Sequence, residues 1–99
     1  MAKVILRQKA IDDLNSIWKY TFEQWSQKQA DLYYGAIKFA CEEIGENPSL
    51  GKKYSGISRS LLGVKSGKHI IFYHLISENE VEVIRILHEQ MDLKERTAE

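Results

Sequence analysis

The sequence predicts an α+β fold in which an N-terminal strand precedes an antiparallel helical hairpin packed on one face of a mainly antiparallel sheet with a C-terminal three-stranded meander. Between residues 10 and 44, apolar residues recur at steps of three and four, as in amphipathic helices. From residue 60 onward, β-branched and aromatic runs are separated by short polar turns, as in a β-meander. The chain has 99 residues, so we expect residues 1–99 to form a single domain.

The N-terminal half divides into a strand and two helices. Residues 3–7 are rich in β-branched side chains and predict a strand, and the helical stripe of residues 10–25 follows directly. Ser26 and Gln29 form a capping box that starts a second helix, and Pro48 ends its pattern. Because the link between the helices is so short, they fold back as an antiparallel hairpin.

The aromatic residues of the hairpin fall at helical spacing, which favours packing in the core over stacking on nucleic-acid bases. They are Trp18, Phe22, Trp25, Tyr33 and Tyr34. Cys41 lies on the same apolar stripe, which predicts a buried, unreactive thiol.

The C-terminal half predicts a loop over residues 49–58 and strands over 60–65, 68–76 and 81–87. Residues 89–99 are polar and predict a short helical turn and a tail. The middle strand is apolar on both alternating sets, so both faces of the sheet should be covered. The helices cover one face, and we expect a partner to cover the other.

Alternation along the last strand predicts that Arg85 shares a face with Val81, Val83 and Leu87. A guanidinium among apolar groups is costly unless an acid or phosphate meets it. Arg85 is therefore either paired within the chain or kept for a partner, and the sequence leaves both open.

Composition excludes several classes of function. Fourteen Lys and Arg balance fourteen Asp and Glu, which argues against a broadly basic nucleic-acid binder and against a polybasic membrane anchor. A single cysteine forms no intrachain disulfide or CxxC zinc site, as expected for a reducing cytoplasm. No run approaches the roughly 20 apolar residues of a membrane span. We therefore expect a cytoplasmic protein without a metal or other cofactor.

The balanced charge is an average over unlike segments. Residues 50–77 contain five Lys and Arg and no acid, whereas residues 78–99 contain seven acids and three bases. The first segment is therefore a basic patch, which is either a solvated loop or an attractive surface for an acidic partner.

The histidines do not predict a metal site. His69 and His74 are five apart in one strand and face opposite sides, and no cysteine joins them. A ribonuclease would need several cationic and titratable groups around the scissile phosphate. The residues that could supply them are Arg59, Lys65, His69, Arg85 and His88.

With this order of elements, the sequence resembles the RelE/ParE superfamily of bacterial toxins, and its ParE branch in particular. The resemblance spans about residues 3–93 and is carried by segments 10–20, 69–73 and 85–92. It implies the toxin of a type II toxin–antitoxin pair. ParE-like toxins inhibit DNA gyrase, whereas RelE-like members cleave mRNA on the ribosome.

Two departures separate this chain from the ribonuclease branch. That branch alternates basic residues along the strand occupied here by the largely apolar segment 60–64, and it commonly ends with a Tyr or His near the C-terminus. Residues 89–99 contain neither. The resemblance therefore favours a gyrase inhibitor without catalytic residues. A RelE-like ribosome-dependent endoribonuclease and an inert antitoxin partner remain the alternatives.

The resemblance also implies partners and contact residues. A ParD-like antitoxin would neutralise the toxin, wrapping its hairpin and sheet, and operator DNA would be contacted only through the antitoxin. We expect the antitoxin to meet the basic side chains of Lys52, Lys53, Arg59, Lys65 and Arg85. We expect gyrase to meet the C-terminal segment, through His88, Met91, Asp92 and Arg96.

Overall fold

A computed structural model describes residues 2–97 and confirms the predicted α+β class. The chain forms β1 (Lys3–Leu6), α1 (Gln8–Gln24), α2 (Gln27–Glu46), β2 (Lys52–Lys53), β3 (Leu62–Ser66), β4 (His69–Ser77), β5 (Glu80–His88) and α3 (Leu93–Thr97). The two-residue strand β2 lies inside the predicted loop, where it pairs with the start of β3. Ala98 and Glu99, the end of the predicted tail, lie outside the described residues.

The described strands form one sheet in the order β1-β5-β4-β3-β2. β3, β4 and β5 make the predicted antiparallel meander, and β2 pairs antiparallel with β3. β1 pairs parallel with β5. The helical hairpin carries the chain across the sheet from β1 at one edge to β2 at the other, and β5 then returns to pair with β1.

The hairpin is built as the sequence predicts. The Ser26 hydroxyl accepts a hydrogen bond of 3.1 Å from the Gln29 backbone N–H, which begins α2. The apolar stripes of both helices pack on one face of the sheet. The buried side chains of this layer include Ala10, Leu14, Ile17, Ile37, Cys41, Ile44, Ile71, Tyr73, Val81, Val83 and Ile86.

The prediction that all the hairpin aromatics enter the core is wrong for its tip. Trp25 is 76% exposed and Phe22 is 45% exposed, because the buried part of α1 ends at Ile17. Trp18 is half-buried, stacks on Phe22 at 5.2 Å and donates its indole N–H to Asp31 at 2.9 Å. Helical periodicity continues beyond the buried part of α1, so the pattern overestimates the core.

The second face of the sheet is covered by the chain itself, so the expectation that a partner covers it is wrong. Ile70, Phe72, Ile84 and Leu87 are buried there together with Leu61. The additional side chains that pack on this cluster are Tyr54, Ile57 and Leu93. The loop before β3 and the short helix α3 therefore form a second layer.

The predicted alternation along β5 is also wrong, because the strand contains a bulge. Phe72 pairs with Arg85 while Tyr73 pairs with Val83, so Ile84 is an extra residue. One inserted residue moves the following side chains to the other face. Leu87 consequently lies on the second face, and Ile86 takes its place under the helices.

A buried hydroxyl fastens the loop after α2 to the sheet. The Tyr73 hydroxyl donates to the Pro48 carbonyl at 2.8 Å and accepts from the Gly51 N–H at 2.8 Å, and burial raises the pKa of this tyrosine. Tyr73→Phe leaves both backbone groups without this partner and should lower the free energy of unfolding by about 2 kcal/mol. Urea denaturation measures the loss, and Tyr54→Phe is the control. Equal stability of the two variants would contradict the prediction.

Candidate functional site

Arg85 is paired within the chain, which resolves the choice that the sequence left open. Its Nε donates to Asp13 Oδ2 at 2.8 Å and its Nη2 donates to Asp13 Oδ1 at 2.9 Å. The two side chains are only 11% and 14% exposed. Asp13 Oδ2 also accepts the Ile86 backbone N–H at 2.9 Å. A bidentate pair of this kind fixes both the charge and the orientation of the guanidinium.

The same guanidinium positions the C-terminal segment. Arg85 Nη1 donates to the Arg96 carbonyl oxygen at 2.8 Å. Within the segment, Asp92 Oδ1 accepts the Glu95 N–H at 3.2 Å, and Leu93 packs on the second face of the sheet. Asp13 on α1, Arg85 on β5 and α3 are therefore one connected unit.

An open cavity of about 580 Å³ lies beside this unit. Its walls include the ion pair, the ends of β4 and β5, and residues of the C-terminal segment. The lining residues are Asp13, Ser16, Ile17, Tyr20, His69, Arg85, Ile86, Leu87, His88, Gln90, Met91 and Arg96. Three of the four predicted target-binding residues thus line this cavity, and Asp92 lines a second one together with Met91 and Arg96.

The cavity also contains a histidine pair that the sequence analysis missed. His69 and His88 face each other across β4 and β5, with ring centroids 5.3 Å apart. His69 and His88 lie equally far along their strands from Ser77 and Glu80, which pair beside the turn. Because the two register shifts between the strands cancel, counting residues outward from the turn predicts the His69–His88 pair. The Tyr33 hydroxyl lies 2.7 Å from His69 Nδ1, and the Gln90 N–H donates to His88 Nδ1 at 3.1 Å.

The environment of His69 makes folding sensitive to acid. Burial, and then the neighbouring His88, lower the pKa of His69 from 6.5 to about 4, although Asp13 and Glu89 oppose the shift. The unfolded chain takes up this proton near pH 6.5, whereas the folded chain resists it until about pH 4. The neutral imidazole therefore contributes stability that is present above pH 6.5 and is lost as the pH falls toward 4.

We expect His69→Gln to reduce the loss of stability that accompanies the fall in pH from 6.5 toward 4. Unfolding in urea from pH 7 to pH 4.5 should show a smaller loss for His69→Gln than for the natural chain. His74→Gln, on the same strand, is the matched control and should keep the natural slope. An unchanged slope in His69→Gln would contradict the assignment.

The basic residues predicted to contact the antitoxin divide into an exposed group and Arg85, which lies apart from it. Lys52 and Lys53 on β2 and Arg59 in the following loop are exposed. Lys65 on β3 is exposed too and forms a 2.8 Å ion pair with Glu89, whose hydrogen bond and charge raise the pKa of Lys65. Arg85 does not join this group, because β4 separates its strand from β3 and its guanidinium is engaged by Asp13.

A shallow groove runs between α1 and α2 and reaches β1. Two cavities of about 280 and 320 Å³ adjoin there, sharing Asn15 and Tyr34 in their walls. The remaining lining residues are Val4, Leu6, Ile11, Leu14, Trp18, Asp31, Lys38, Cys41 and Glu42. Burial raises the pKa of Cys41 to about 11, so its thiol stays protonated near neutral pH. Ile11, Leu14 and Cys41 form part of the apolar lining of the groove.

Residues 2–97 contain neither a cluster of metal-ligating side chains nor a helix that could cross a membrane. In that part of the chain, His, Cys, Asp and Glu side chains form no group of three or more able to hold a metal ion. None of the described helices combines the length and the apolar character needed to cross a membrane.

The architecture of the chain matches the fold of a solved structure. The fold matches a chain of the solved structure titled "Chromosomal ParDE TA system from P. aeruginosa", with a TM-score of 0.77 over 89% of this chain and 96% of that one. Sequence identity is 13%, so this likeness establishes a shared α+β fold.

Sequence comparison then identifies the family. The family model described as "ParE toxin of type II toxin-antitoxin system, parDE" matches residues 4–93. The chain is 32% identical to Toxin ParE1 of Caulobacter vibrioides over 90% of its own length and 91% of the relative. It is 28% identical to Toxin ParE1 of Mycobacterium tuberculosis over 93% and 94% respectively. The chain belongs to the ParE toxin family of type II toxin–antitoxin systems.

Proposed function

We propose that the chain acts by binding DNA gyrase through the surface that runs from His88 to Arg96. Membership of the toxin family supports the toxic role. The choice of this surface rests on the Asp13–Arg85 pair, which positions the C-terminal segment beside an open cavity. A preformed surface of this kind binds a protein partner without the entropic cost of ordering the segment.

The ribonuclease alternative is less well supported by the site. Of the five groups that could act on a phosphate, His69, Arg85 and His88 line the cavity. Arg85 is neutralised by Asp13, and Lys65 is paired with Glu89. A developing negative charge would therefore meet a guanidinium already committed to a carboxylate. We propose that the protein is not a catalyst.

We further propose that a ParD-like antitoxin neutralises the protein in the cytoplasm and alone contacts operator DNA. An amphipathic antitoxin segment would place apolar side chains in the groove between α1 and α2. Its acidic side chains would meet the exposed cations Lys52, Lys53, Arg59 and Lys65. Arg85 is left out of this contact, because its charge is already satisfied within the chain.

Charge reversal tests the antitoxin contact. The triple variant Lys52→Glu, Lys53→Glu and Arg59→Glu should bind a ParD-like antitoxin at least about tenfold more weakly at low salt, with a shallower salt dependence. Lys19→Glu, an exposed change on α1, is the control and should bind normally. Titration calorimetry at two salt concentrations measures both. Unchanged affinity of the triple variant would contradict the proposed contact.

Inducing the chain in cells without its antitoxin tests the proposed function. Growth arrest with filamentation and loss of plasmid supercoiling is the expected result. Arrest with mRNA cleavage would support the ribonuclease instead, and unaffected growth would support an inert partner. Co-expression of the antitoxin should restore growth.

A further inference from the structure

The outer face of α2 exposes large apolar side chains that the described part of the chain does not cover. Leu32 is 59% exposed and Phe39 is 61% exposed. They are seven residues apart and therefore lie on one line along the helix. Gly35 and Ala36 lie between them and are exposed, and a Cβ built on Gly35 would meet no atom within 4 Å. The middle of this face is therefore flat and open.

The residue types along this face are arranged nearly symmetrically about its centre. A lysine lies four residues before Leu32, and a glutamate lies four residues after Phe39. All six positions fall on one side of an α-helix. In order, they are Lys28, Leu32, Gly35, Ala36, Phe39 and Glu43. A two-fold axis through the centre would place Leu32 opposite Phe39, and Lys28 opposite Glu43, of an identical helix.

The charges at the ends of α2 run against its own dipole. Lys28 lies in the first turn and Glu43 lies in the last, while the first turn has no acid and the last has no base. An isolated helix is stabilised by the opposite arrangement. Next to a second, antiparallel copy, each lysine meets a glutamate and the two helix dipoles oppose each other, so the unfavourable placement becomes complementary.

We propose that the outer face of α2 binds α2 of a second copy of this chain, antiparallel and about a two-fold axis. The small side chains of Gly35 and Ala36 let the helices cross closely, with Leu32 of one copy against Phe39 of the other. One helix pair buries less than the roughly 1,200 Å² of a standard interface, so the dimer is reversible. The surface from His88 to Arg96 takes no part in this contact.

Exchanging the charges at positions 28 and 43 tests the proposed dimer with variants that should fold normally. Lys28→Glu and Glu43→Lys each replace two attractive pairs of the dimer with two repulsive ones. Both changes suit the dipole of α2, so neither should weaken the helix. Sedimentation equilibrium of the full chain without antitoxin should show a concentration-dependent dimer, and each single variant should weaken it about tenfold. The double variant should restore dimerisation.

Lys19→Glu on α1 is the matched control and should leave the dimer unchanged. A molecular mass equal to that of the monomer at every protein concentration would overturn the proposal. A dimer that both single variants leave intact would also overturn it, because the contact would then lie elsewhere. Restoration in the double variant alone would show that positions 28 and 43 meet across the interface.

Discussion

Replacing Asp13 with alanine should lower the free energy of unfolding by about 3 kcal/mol, because it removes the Asp13 carboxylate from the largely buried Arg85 guanidinium. Both side chains are less than 15% exposed, so water compensates little of the loss. The Ile86 N–H loses its acceptor in the same variant. Urea denaturation measures the change, and Asp12→Ala, an exposed neighbour, should lose far less.

The same variant should loosen the C-terminal segment. Asp13 orients the guanidinium that donates to the Arg96 carbonyl, so we expect faster proteolysis after Lys94 and Arg96 in Asp13→Ala. Asp12→Ala should be cut at the natural rate. A stable Asp13→Ala protein with an unchanged proteolysis rate would show that the ion pair does not order this segment.

The second large effect is expected at Met91, which is 44% exposed at the cavity. Met91→Glu introduces a charge into the centre of the proposed gyrase-binding surface, where desolvating it would be costly. We expect growth arrest to be lost while antitoxin binding is retained, because the groove and the exposed cations are elsewhere. Growth curves after induction and calorimetry with the antitoxin measure the two properties.

Leu75→Glu is the matched control for this variant, since Leu75 is 49% exposed at the far end of β4. It makes a similar change in charge away from the cavity and should leave toxicity intact. If Met91→Glu remains fully toxic, the surface from His88 to Arg96 is not the one that acts on the target.

The fold was largely predictable because periodicity reports local geometry. The change from a three-and-four spacing to strand runs near residue 60 predicted the hairpin and the meander, and Ser26 marked the helix boundary. Periodicity indicates which residues share a face, but it does not indicate what that face packs against. It therefore placed Trp25 in the core, although Trp25 is 76% exposed at the tip of the hairpin. It also missed the bulge at Ile84, which leaves no mark on the apolar pattern.

The candidate site was predictable in part for the same reason. The cost of burying a guanidinium correctly indicated that Arg85 needs a partner, but Asp13 is 72 residues away and looks like an ordinary solvent-facing acid of an amphipathic helix. The four target-binding candidates are close in the chain, so the structure keeps them close in space. The His69–His88 pair depends on strand register, which requires counting across the turn rather than along each strand.

The most direct test of the proposed function is a supercoiling assay with purified DNA gyrase. The full chain should inhibit supercoiling in proportion to its concentration, Leu75→Glu should inhibit equally, and Met91→Glu should not. Prior addition of a ParD-like antitoxin should abolish the inhibition. Uninhibited gyrase in the presence of a folded, antitoxin-binding chain would contradict the proposed function.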